Sequence, residues 1–425
     1  MSIEKNSLTE RLVAHLQRPV PEAVRQRARR HLLDWLGCVA CARASELSGH
    51  LAHAPALSRA AWLGNLMEMD DVHRTALLHP GPVVWPAVLA HSGLSLDDML
   101  AAAVRGYEAM IAIGSMLDGH HYAHWHNTAT AGAFGAAAAA ASALGATPTQ
   151  MVSALGLAGS VCGGLWQMRH EPVMAKAWHV AHAAATGTAA AQHACRGITG
   201  PRYVLEGPQG LLAATCREPR PLQLGESWRI GEVSFKPWGA CRHTHPAITA
   251  ALDLRARGAL SGEIIVRTYR DALVFCDRPE PRTPTEARFS LQHAVAIVIA
   301  RGEPRLEDFE PAAIETLRPQ RQAVVVAEDP ALTASYPAHF GARISATAAD
   351  ALAADALGDP ELPLSDTGVI AKARALMEWG RIGSADAQRT IEAALRGTTA
   401  SAITAALESW FSVPPVPASQ DFRRR

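Results

Sequence analysis

From Trp125 to His182, Ala, Gly, Ser and Leu supply 30 of the 58 residues, and no Asp, Glu, Lys or Arg occurs before Arg169. Small side chains bring little transfer energy each, so such a stretch holds together where helices approach closely and bury one another. None of these residue types does acid-base chemistry. The titratable groups therefore stand at the ends of the apolar run: His126 at its start, and Lys176 and His179 near its close, three residues apart on one helical face. A helix start that carries a cation suits an anionic small molecule. The stretch implies a packed helical core with a carboxylate-handling site built around it.

With 425 residues the chain is long for one core, and two domains or one elaborated domain are expected. Lys plus Arg number 40 and Asp plus Glu 40, which leaves no electrostatic footprint for nucleic acid or an acidic membrane surface. The 19 histidines suit chemistry near neutral pH. The first ten residues are polar and charged, so the expectation is a cytoplasmic protein without a signal peptide. Cys38 and Cys41 form a C-x-x-C with no second pair, which reads as buried reduced thiols and gives no metal site. Ala129 to Thr147 and Met151 to Met168 approach the ~20 residues that cross a bilayer. They rest on Ala and Gly and have no flanking aromatic belt, so buried helices of a large soluble core, with no membrane partner, are the reading.

Val20 to Ala42 reads as an amphipathic helix whose apolar end carries Asp34, taken as a satisfied buried carboxylate. The segment Glu68 to Arg74, followed by His79 and Pro80, holds three carboxylates and two histidines; a metal site, an acid-base cluster and a capped helix end all fit that spacing. Helices are expected over Trp85 to His91 and Leu96 to Leu117. His120, His121, His124 and His126 crowd a polar connection read as a loop rimming a site. No strand is evident before Leu212. Beyond Glu226, Ile264 to Tyr269 and Ala323 to Ala327 are β-branched runs interspersed with helices over Ala247 to Arg257 and Phe289 to Ile299, and helical periodicity returns over Val369 to Trp379 and Ala385 to Leu395. The economical architecture is mainly α: a large discontinuous all-helical domain over 1–234 and 363–425, with a smaller α+β lid domain over 235–362.

An ordered set of short motifs accompanies this architecture. It comprises Leu33-Asp34-Trp35-Leu36-Gly37-Cys38, Met69-Asp70-Asp71-Val72-His73 with His79-Pro80, Gly106-Tyr107-Glu108, His126 with Thr128 and Gly132, Lys176 with His179, Gly200-Pro201, Phe235-Lys236-Pro237-Trp238 with Cys241 and His245, and Phe289-Ser290-Leu291. Together, from about residue 20 to 380, they resemble the MmgE/PrpD family, which includes 2-methylcitrate dehydratase, cis-aconitate decarboxylase and an iminodisuccinate epimerase. The resemblance implies a helical domain closed by a later helix pair, an α+β lid, a homodimer, and no metal or organic cofactor. It also implies functional positions at Glu68, Val72, His79, His126, Lys176, His245 and His293. The family often has Asp where this chain has Glu68, and the decarboxylase has Thr at Val72 and Tyr at His293. A one-residue insertion before His79 is also needed.

The chemistry common to those reactions removes a proton or carbon dioxide beside a carboxylate, so cations must face the oxygens onto which the charge moves. Lys176, Lys236 and Arg242 are candidates for that field and for binding substrate carboxylates. A base and an acid of near-neutral pKa must flank the carbon, and His126, His79 and His245 are the candidates, with His243 a rival to His245. Glu68, Asp71 and His293 complete the expected substrate-binding set. The expectation is a cofactor-independent lyase, a dehydratase or decarboxylase, whose partner is a small di- or tricarboxylate. An epimerase of a dicarboxylate is the alternative reaction. A non-catalytic carboxylate-binding relative, and a metal-dependent hydrolase built on His120, His121, His124 and His126, are the alternatives of other classes.

Overall fold

The computed structural model describes residues 6–91, 93–171, 173–347 and 349–412. It is mainly α-helical with one small sheet, and it divides into two compact units. The first holds the described residues up to Leu66, Ala76–Val233 and those from Asp366 onward; the second holds Met67–Thr75 and Ser234–Ser365.

In the first unit, α1 (Glu22–Ala42) follows Pro21 and buries Leu32, Leu33, Trp35, Leu36 and Val39. Asp34 on that face lies 2.6 Å from the ammonium of Lys372, which the later helix Asp366–Trp379 supplies, so the buried carboxylate is neutralised locally. Helix α2 (Gly81–Leu89) starts earlier than expected because Pro82 falls in its first turn, where a missing amide costs nothing. Helix α3 (Leu96–Met116) is capped by Ser95, whose hydroxyl accepts from the Asp98 amide at 3.1 Å. The histidine-rich connection is no loop. Asp118 accepts from the His121 amide at 2.9 Å and caps a short helix over Gly119–His124.

Three further helices form the core: α4 (Asn127–Ala143), α5 (Pro148–Gly159) and α6 (Ala175–Cys195). Helix α4 packs against both α3 and α6. A Cβ on Gly106 of α3 would stand 2.9 Å from the Gly135 carbonyl oxygen of α4, and one on Gly187 of α6 would stand 2.4 Å from that of Ala133. Backbone touches backbone at both crossings, which is why the composition there is Ala and Gly. The stabilisation comes from many close dispersion contacts rather than from large side chains. His126 lies near His179, Gly132 near Ala183 and Ala133 near Gly187, so α4 and α6 run side by side in the same direction and begin at the same end. Among the described residues no helix is long and apolar enough to cross a membrane.

The second unit carries a four-stranded sheet in the order β2-β1-β3-β4. Helix α7 (His245–Ala256) precedes β1 (Ile264–Thr268), and α8 (Leu291–Arg301) precedes β2 (Val324–Glu328), which pairs parallel to β1. Strands β3 (Ala342–Ser345) and β4 (Asp350–Ala353) add two antiparallel pairings. Both are too short and too poor in β-branched residues to show in the sequence, yet their burial alternates as a half-covered sheet requires. The excursion 67–75 enters this unit through a bridge in which Val72 and Ser234 exchange amide–carbonyl bonds of 3.1 and 2.9 Å. The last described helices of the first unit are Ser384–Arg396 and Ser401–Ser412, the latter beyond any expected element.

Candidate active site

In the first unit, His126 occupies the cap position of α4 in an extended conformation, and its side chain makes no capping bond. Capping is therefore not what this histidine does. Its ring is 2 % exposed, and its Nδ1 is buried with no hydrogen-bond partner among the described residues. Burial first, and then the charges of Lys176, His179, His79 and Arg169, hold its pKa well below that of an ordinary histidine. The permanent cations acting on this imidazole are Lys176 and Arg169. The ring is a neutral base at physiological pH, set in a positive field.

Lys176 and His179 stand in the first turns of α6. A cation at a helix N-terminus opposes the helix dipole, so Lys176 is not placed there for helix stability. The His179 ring lies 5.6 Å from that of His126, and burial, then His182, lowers its pKa as well. His79 enters from the turn before α2, where its amide donates to the Thr128 hydroxyl at 3.1 Å. The structure thus brings His79, His126 and Lys176 together at the common start of two packed helices, an arrangement suited to a small anion.

A turn from Gly163 to His170, not foreseen in the sequence, covers this end. The His126 amide donates to the Gly164 carbonyl at 2.8 Å, and Trp125 pairs with Leu165 in an isolated bridge. The Trp166 ring then meets that of His126 at 4.4 Å, with the Arg169 guanidinium 3.7 Å over Trp166. Gly164, at φ +142°, has no room for a side chain: a Cβ would lie 2.7 Å from that of Ala129 and 3.1 Å from Nδ1 of His179. In the sequence this turn is signalled by the paired glycines at 163 and 164, ahead of Trp166 and Arg169.

The expected residues of the second unit are organised differently. Lys236 is fully buried, 3.4 Å from Glu68 and 3.3 Å from Asp70. Burial works against its charge, but Asp70 and Glu68 outweigh that and hold the ammonium above its ordinary pKa. Glu68 reaches it from a left-handed backbone, φ 54°, which costs a residue with a side chain of order 1 kcal/mol and is held by its surroundings. Asp70, not singled out in the sequence, is the closer acid; Asp71 is buried beside it in the chain. Arg242 pairs with Asp359, whose carboxylate also accepts from the Ser234 hydroxyl at 2.6 Å and the Ala356 amide at 3.0 Å. Burial would raise the Asp359 pKa, and Arg242 above all brings it below the usual value.

His245 opens α7 fully buried, with Nε2 3.1 Å from the Ala240 carbonyl and its ring 5.2 Å from Trp238. His243 stacks on Phe275 and Phe340 and bonds the Tyr269 hydroxyl at 2.6 Å. His293 donates from Nε2 to the Asp308 carbonyl at 2.8 Å and has Arg321 at Nδ1; burial pushes its pKa down to about 4. It is a satisfied, neutral histidine within its own helix packing.

The four histidines of the 118–126 stretch do not converge. His121 is buried between the hydroxyls of Thr215 and Thr130, at 2.8 and 3.2 Å. Among the described residues the ligating atoms that do converge belong to His339, Asp355 and Glu361, and Arg74 already bonds both carboxylates there. A surface cavity of about 560 Å³ is lined by Asp118, Gly119, His120, Arg217, Glu218 and Arg220, and includes none of His79, His126 or Lys176.

A family model of the MmgE/PrpD N-terminal domain matches residues 48–223, and one of the MmgE/PrpD C-terminal domain matches 238–397. The chain is 28% identical over 285 residues to a cis-aconitate decarboxylase-like protein, oryM, of Aspergillus oryzae, covering 59% of each chain. It is 29% identical over 225 residues to the cis-aconitate decarboxylase of Aspergillus terreus, covering 48% of this chain and 46% of the relative. It is 28% identical over 284 residues to that of Homo sapiens, covering 60% and 56%. The matches thus span about half the length of these curated relatives. With successive models of its two domains covering most of the sequence, the chain belongs to the MmgE/PrpD family.

Proposed function

We propose that this protein is a lyase that breaks a carbon–oxygen or carbon–carbon bond beside a carboxylate of a small di- or tricarboxylic acid. The observation that carries this reading is the buried imidazole of His126, set beside Lys176 and Arg169 at the start of two helices. A neutral imidazole accepts a proton from carbon. The electron pair left behind moves onto the adjacent carboxylate, and Lys176 and the positive helix ends stabilise that oxygen charge where it develops. His79, in the turn before α2, lies close enough to act on the same ring. These steps use an imidazole, an ammonium group and the amide ends of two helices. The relatives include cis-aconitate decarboxylases, which break a carbon–carbon bond to a carboxylate of a small tricarboxylic acid, and the same cations would face the oxygen charge in that reaction.

The test is proton NMR in heavy water with citrate-like, aconitate-like and aminodicarboxylate compounds. Elimination or carbon dioxide loss is the expected signal, and His126→Gln should lower kcat by about 10²–10⁴-fold, the range for a general base. Exchange with inversion and no elimination would identify the epimerase instead. No turnover of any compound, with binding retained, would leave a carboxylate-binding protein and sink the lyase reading.

A further inference from the structure

We propose that His179 is the proton donor that works opposite His126, delivering a proton to the departing oxygen or to the carbon vacated by carbon dioxide. The role rests on the lyase reading above. His179 is one turn along α6 from Lys176, its ring 5.6 Å from that of His126. Its Nδ1 is buried against Gly164 and has no hydrogen-bond partner among the described residues. A bare lone pair is tolerated in such a place better than a bare N–H. The neutral ring therefore carries its proton on Nε2, the nitrogen away from Gly164.

Environment separates the two imidazoles into an acid and a base. His126 is almost wholly buried and feels Lys176, His179 and His79, with Arg169 from the covering turn. His179 is half-buried and feels only His182 on its own helix, together with His126 across from α4. When a polycarboxylate arrives its negative charge favours protonation of both rings; the less buried, less crowded His179 takes the proton first, on Nδ1, and the substrate's charge offsets the cost of the bare N–H this leaves against Gly164. His126 stays neutral and serves as the base.

The steps balance on this assignment. In elimination the C–H bond breaks toward His126 and its electron pair passes to the carboxylate. The C–O bond then breaks with its pair on oxygen, which leaves as water with the proton of His179. Solvent takes one proton from His126 and returns one to His179. In decarboxylation the C–C bond breaks, carbon dioxide leaves, the pair remains on carbon, and the His179 proton fills the position. One proton is then drawn from solvent per turnover.

The experiment compares the kcat–pH profile of the wild type and His179→Gln, on whichever acid the wild type turns over, alongside melting temperature. The expected result is a fall in kcat of about a hundredfold or more with loss of the alkaline limb, at a melting temperature within a few degrees. A kcat within threefold of wild type, or an alkaline limb that keeps its midpoint in a slower variant, overturns the proposal. Should the variant fail to fold, titration of the His179 ring signal in the wild type by NMR, with and without citrate, decides the matter: protonation must become easier on binding. A wild type that turns over no polycarboxylate refutes the lyase reading itself and this role with it; active wild type with an unimpaired variant refutes only the role of His179.

Discussion

Replacing Lys236 by Met tests what holds the second unit together. The ammonium is fully buried, 3.3 to 3.4 Å from two carboxylates whose side chains are 7 % and 1 % exposed. At an effective dielectric near 20 each contact is worth about 5 kcal/mol of gross attraction, set against a desolvation cost of several kcal/mol per ion. Removing the cation leaves Glu68 and Asp70 buried without it, and the expected loss is about 3–5 kcal/mol. For a unit of this size that lowers the melting transition by roughly 10 °C. The pH dependence is specific. In the variant the folded pKa values of the two acids rise above their unfolded values, so the deficit is largest at alkaline pH and shrinks as pH falls through those raised values. Scanning calorimetry at pH 8 and pH 5 measures both quantities. A shift under about 3 °C, or a deficit unchanged between the two pH values, would falsify this account of Lys236.

Two further outcomes follow from geometry already described. His121 and His293 lie in different units, and burial above all pushes each down to about 4. Because the unfolded chain takes up these protons near pH 6.5 and the folded one does not until about 4, stability is full above the higher value and lost on acidification. Each histidine costs its unit about 2 kcal/mol between pH 7.5 and pH 5, which urea unfolding at the two pH values measures; equal midpoints would contradict it. Gly164→Ala meets Ala129 and His179 at once, in a backbone conformation L-residues rarely adopt, and should cost about 1–3 kcal/mol and lower kcat tenfold or more. Gly163→Ala, whose Cβ meets only the Trp125 ring at 3.5 Å, should be tolerated, and comparable kcat values for the two variants would refute the assignment of the turn.

Much of this fold is legible because periodicity is local. The Ala-rich pair α4 and α6, the capped α3 and the β-branched strands β1 and β2 each carry their pattern within one segment. Strands β3 and β4 do not, since four residues such as Ala342 to Ser345 show too little alternation to separate from a loop. The site divides the same way. His126 and Lys176 stand out because they interrupt an uncharged run. Asp70 does not, because the choice between it and Asp71 depends on a bridge from Val72 to Ser234, more than 150 positions distant. Trp166 and Arg169 were hidden by the apolar run before them, which reads as one helix until Gly159 is seen to end it.

The short excursion 67–75 has a practical meaning for anyone dissecting the molecule. A fragment excised at the outwardly obvious borders, Ser234 to Ser365, would be born lacking Val72, which bridges to Ser234, and the anions that quench Lys236. Such a piece carries an orphaned ammonium in its interior. Autonomy of the sheet-bearing unit therefore depends on nine residues translated long before it, and grafting them back by a short tether is the way to obtain it alone.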